Sequence, residues 1–190
     1  MQEFNAQGNE FREMTGIIKI FIDILLSRAG PQDLPASKQL LGICFATLVV
    51  LQGVLGTWLI PGDEAIVPQA ILSTLITLAW VALVLQLSGR PERFVQTAIA
   101  LLGIACLFAP VSIPLVSTIR PEVGQPVAMT PLALVAFVLS IFLIYVNARI
   151  LRAATERSMF QCVLLFMAGE LFTFFVLVAL GLGTDAPAAG

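Results

Sequence analysis

The chain has 190 residues, 58% of them hydrophobic and 12% charged, with a mean hydropathy of +0.97. A soluble domain of this length has no interior large enough to hide so much apolar surface, which excludes the ordinary water-soluble class and indicates a membrane protein. A net charge of −2 and the lack of a basic face exclude nucleic acid as a partner, and the absence of histidine removes the commonest general base, metal ligand and axial haem ligand together.

The first stretch, 1–10, is a polar tail, and the wider segment Met1 to Glu13 has neither a basic n-region nor a small-residue cleavage site. No removable signal peptide is therefore expected, and the first span acts as its own insertion signal. Residues 11–29 are predicted to form an amphipathic helix. Arg12, Thr15, Lys19, Asp23 and Ser27 share one side, Met14, Ile17, Ile18, Phe21 and Leu25 the other, and Lys19 and Asp23 are spaced to pair. Those two charges leave the apolar run too short to cross a bilayer, so this helix is expected to lie in the membrane interface. Gly30, Pro31 and Pro35 then turn the chain into the bilayer.

A membrane domain over 38–184 follows, with spans expected at about 39–60, 66–88, 94–118, 131–149 and 158–183, and a tail at 185–190. Trp58 marks the far interface of the first span. Pro61 to Glu64 and Arg90 to Arg93 are tight turns. Pro110 and Pro114 remove backbone donors four residues apart, so the third helix is expected to kink or end at Pro110, with Val111 to Thr118 irregular. The fourth span is expected to run on as a cytoplasmic helix carrying Arg149, Arg152, Glu156 and Arg157. The predicted fold is thus an all-α, polytopic membrane bundle of five transmembrane helices with an N-terminal interfacial helix.

Orientation follows from the basic residues. Arg12, Lys19, Arg28, Lys38, Arg90, Arg93, Arg149, Arg152 and Arg157 fall on one side and only Arg120 on the other, so the side with nine of the ten is cytoplasmic. The N-terminus is expected inside and the C-terminus outside, with a bacterial inner membrane as the preferred location.

Three short pieces carry a family resemblance. Asp23-Ile24-Leu25-Leu26-Ser27-Arg28 before the first span, Gly89 to Thr97 with Phe94, and the Pro110 to Pro114 end of span three are similar to features of the Yip family of membrane proteins. Eukaryotic members of that family are associated with small-GTPase recruitment and vesicle traffic. The resemblance implies a five-span topology and a non-enzymatic role in interaction, and it implies no catalytic residue.

Glu170 is the only charged side chain in the last apolar run, Ser158 to Thr184, and an intramembrane carboxyl is a functional-site candidate. Counted from Arg157 at about 1.5 Å per residue, it lies roughly 20 Å deep. Gln52, Thr77 and Ser140 are expected near the same level, forming an intramembrane polar layer, and no basic residue reaches it from its own helix. A bare carboxylate at the bilayer centre costs roughly 2.5 to 3.5 kcal/mol. Protonating one at neutral pH costs about 3.7 kcal/mol, so neither form wins outright.

Three readings stay open: a neutral Glu170 hydrogen-bonded inside the bundle, a contact with another membrane subunit, and a proton or cation site in a small transporter or channel. Transport requires polar residues leading to Glu170 from both sides. Asn147, Tyr145 and Gln96 offer some on the inner side, and the outer halves of the spans offer almost none. Protease motifs are absent, and the single cysteines Cys44, Cys106 and Cys162 read as small buried hydrophobes. No catalytic residue, metal or cofactor is expected. Arg149, Arg152 and Arg157, with Arg90 and Arg93, read as inner-surface anchors or as contacts for anionic lipid or a cytoplasmic partner. The expected partners are membrane lipids and other membrane subunits or a second copy.

Overall fold

The computed structural model describes residues 16–26, 28–59, 65–117 and 130–182, with the side chains of 116 and 117 left out of the description. Among them are six helices and no strand. The first, α1, covers 16–25. It is followed by α2 (Lys38–Leu59), α3 (Ile66–Leu87), α4 (Phe94–Ser117), α5 (Pro131–Thr155) and α6 (Met159–Ala179). Helices α2 to α6 are each long and apolar enough to cross a bilayer.

Local chemistry sets the ends. Ser37 Oγ accepts from Leu40 N at the start of α2. Helix α5 begins with Thr130, whose hydroxyl accepts from Ala133 N, and with Pro131 in the first turn, where its missing N–H costs nothing. It stops at Glu156, which takes the left-handed conformation at φ 59°. The fourth helix therefore ends sooner than expected, leaving Glu156 and Arg157 in the turn. Ser158 and Gln161 then form a reciprocal capping box that starts α6.

Helix α4 corrects a second expectation. It continues through Pro110 and Pro114 to Ser117 instead of ending at Pro110. Pro110 and Pro114 leave the carbonyls of Cys106 and Pro110 without their helical N–H donors, which membrane helices tolerate, and Ser112 Oγ donates to the Phe108 carbonyl in the same turn. Thr118, the turn at 61–64, the loop with Arg120 and both tails lie outside the described residues.

Helix α4 is the axis of the bundle. Every residue from Thr97 to Ile104 is buried, so its inner half is enclosed on all sides. Helices α2 and α5 flank it, α3 touches α2 and α6, and α6 closes against α5. Contact between apolar helices in lipid depends on close packing, and small residues sit at these contacts. The ring of Phe21 on α1 occupies the place a Cβ at Gly103 would take, and a Cβ at Gly169 would stand 2.6 Å from the Trp80 ring.

Packing is uneven along the membrane normal. All buried residues of α5 lie between Val146 and Thr155, and nothing from Pro131 to Tyr145 is buried. Helix α1 turns Phe21 and Ile24 onto the core and leaves Ile18, Ile22 and Leu26 exposed as a stripe with a four-residue period. Among the described residues the ion pairs are Arg90–Glu156 and Arg93–Glu156, so Lys19 and Asp23 do not pair.

Candidate functional site: a polar cavity inside the bundle

Helices α2, α3, α5 and α6 each turn some polar residues inward. The inward polar residues converge on one cavity of about 230 Å³. Its lining includes Gln52 from α2, Ser73, Thr74, Thr77 and Trp80 from α3, Asn147 from α5, and Glu170 and Thr173 from α6. Leu101, Leu102 and Ala105 of α4 close it with apolar surface.

Of the four residues expected to share a layer, Gln52, Thr77 and Glu170 line this cavity and Ser140 does not. Ser140 stands at a similar depth but on the outer face of α5, exposed, with its hydroxyl donating to the Ala136 carbonyl at 2.8 Å. Depth along a helix follows from counting residues; azimuth follows from packing. Asn147, expected only as a step on the inner side, lies in the wall itself, while Tyr145 is exposed and Gln96 donates to the Leu34 carbonyl at 2.9 Å.

The hydroxyls of the wall are oriented. Thr77 donates to Ser73 O at 2.9 Å, Thr74 to Ala70 O at 2.7 Å and Ser73 to Ala70 O at 3.1 Å. With their protons committed to their own helix, these oxygens retain acceptor capacity. Trp80 donates its indole N–H to the Leu165 carbonyl at 3.0 Å and stacks on Phe172 with ring centroids 5.8 Å apart. Sequence inspection passed over Trp80 because its role is tertiary: it ties α3 to α6 beside Gly169.

The side chains of Gln52, Asn147 and Glu170 form no hydrogen bond or ion pair among the described residues. The lining contains no Lys or Arg. Glu170 is also exposed, so the cavity is not sealed at this residue.

The arginines expected at the inner surface divide into separate groups. Arg90 and Arg93 both pair with Glu156, at 2.7 and 2.9 Å, and Arg93 also donates to the carbonyls of Ala153 and Ala154 at the end of α5. Arg149 lines a different cavity with Arg28 and Asp33, beside the end of α1. Arg152 and Arg157 are exposed. Glu156 is thus the anion that Arg90 and Arg93 meet within the chain.

Comparison with family models, with curated proteins and with solved structures finds no match to this chain.

Proposed function

We propose that this chain is a five-span integral membrane protein, N-terminus cytoplasmic and C-terminus outside, which acts without catalysis as an assembly factor, scaffold or accessory subunit of a membrane complex. A bacterial inner membrane fits the distribution of basic residues. The exposed Ile18, Ile22 and Leu26 of α1 suit a helix resting at the inner interface.

The observation that carries this reading is the outer half of α5. From Pro131 to Tyr145 it buries no residue within its own chain, although its inner half is the best-packed part of the peripheral bundle. A helix half that buries none of its residues, and meets its own chain along one side only through contacts such as Phe142 with Phe108, is what a subunit presents to a partner helix or to a second copy.

A photo-cross-linking residue at Val138 tests this in native membranes, with Ile43 on α2 as a lipid-facing control. A stoichiometric protein adduct from 138, matched by a complex on gentle extraction, is expected. A lone monomer with lipid adducts at both positions would overturn it. The polar cavity favours a second reading, in which Glu170 is a proton or cation site of a small transporter or channel. Glu170-dependent movement of protons or a solute by the purified chain in vesicles would put that reading in place of the first.

A further inference from the structure

We propose that the cavity between α2 and α6 is a binding site for a small organic ammonium cation, with Glu170 as counter-ion, Gln52 and Asn147 as hydrogen-bonding side chains, and Trp80 as an aromatic wall. The inference rests on the reading that these helices cross the bilayer, and not on any partner subunit.

Charge selects the ligand first. The lining contains one carboxyl group and no basic side chain, so a single positive charge balances it and an anion meets no opposite charge. Hydrogen-bond polarity agrees. The protons of Ser73, Thr74 and Thr77 are committed to backbone carbonyls, which leaves their oxygens as acceptors toward the cavity. The carbonyl ends of Gln52 and Asn147 add two more acceptors, and these amides have no partner among the described residues. These acceptors, set around a carboxylate, complement a ligand that carries N–H donors, while the NH2 ends of the two amides can meet an acceptor on its organic part.

The tryptophan narrows the class further. Its indole N–H is held by the Leu165 carbonyl, so Trp80 offers the cavity only ring surface, and an aromatic ring in a cavity that holds a carboxylate attracts ammonium groups. Size separates this ligand from a bare metal ion. No group of three His, Cys, Asp or Glu side chains suited to a metal occurs among the described residues, and about 230 Å³ leaves an inorganic ion mostly surrounded by water. The same volume lies just below the roughly 300 Å³ at which pockets begin to admit drug-sized molecules, so the organic part is short.

The test uses the purified full chain in lipid nanodiscs, titrated with ethylammonium chloride and followed by thermal unfolding and calorimetry. Sodium chloride and sodium acetate serve as ionic controls. A saturable upward shift of Tm with ethylammonium, absent with both controls, is expected. Binding should weaken at least about tenfold in Glu170→Gln and measurably in Asn147→Leu, and stay unchanged in Ser140→Ala, whose hydroxyl lies outside the cavity. If Glu170→Gln does not fold, Gln52→Leu and Asn147→Leu carry the comparison. The absence of a saturable response in the wild-type chain, an equal response to sodium, or undiminished binding in the folded cavity variants would each overturn the proposal. None of these outcomes depends on the cross-linking at Val138, so the two readings fail separately.

Discussion

The indole nitrogen of Trp80 donates to the main-chain carbonyl of Leu165 at 3.0 Å, joining the middle of α3 to α6 beside Gly169. A methyl group at Gly169 would stand 2.6 Å from the same ring, so hydrogen bond and close approach form one joint. Gly169→Ala is expected to push α6 away from α3 and to destabilise the chain by about 1 to 3 kcal/mol, the range for overpacking a filled core. Trp80→Phe keeps most of the ring but loses the donor, at a cost of about 1 kcal/mol. Thermal unfolding in matched micelles measures both, and an unchanged Tm in Gly169→Ala would show that the α3–α6 approach is not tight.

Glu156 joins the α3–α4 and α5–α6 turns, because Arg90 and Arg93 reach it from the α3–α4 connection. All three side chains are partly exposed, between 33% and 53%, so Glu156→Ala is expected to cost less than about 1 kcal/mol through lost ion pairing. Arg93→Ala should cost more, since it also removes the donors to the Ala153 and Ala154 carbonyls. Glu156→Gly is expected to be about 1 kcal/mol more stable than Glu156→Ala, because φ 59° penalises a side chain. Unfolding curves of the three variants give the order directly.

Helix α1 is held through Phe21 over Gly103. Gly103→Leu removes the seat without touching α1 itself, and is expected to release the helix while the five long helices stay assembled. Trypsin cleavage after Lys19, which is exposed, should quicken severalfold in Gly103→Leu and in Phe21→Ala. Equal cleavage rates in wild type and both variants would mean that α1 does not depend on this contact.

Topology has its own check. A reporter active only outside the cytoplasm is expected to work when fused after Gly190 and to fail when fused in the Arg90 to Arg93 turn. The reverse pattern would overturn the orientation drawn from the basic residues.

Much of the architecture is written in composition along the chain. The number of long apolar helices and their approximate limits follow from runs of apolar residues broken by charged turns. Two boundaries differ: α4 runs on through both prolines to Ser117, and α5 ends at a left-handed Glu156. Of the candidate site, counting residues placed Gln52, Thr77 and Glu170 at one depth, where they do line one cavity.

Depth is a one-dimensional quantity, and the sequence by itself determines it. Azimuth is not, because helices that are apolar on nearly every side carry little periodic signal for which face turns inward. Only the tertiary structure decided that Ser140 faces outward while Asn147 and Trp80 face in, and that Arg90 and Arg93 meet Glu156. The physical reason lies in close approach: the glycines at 103 and 169 admit Phe21 and Trp80, and contacts of that kind set the rotation of each helix about its own axis.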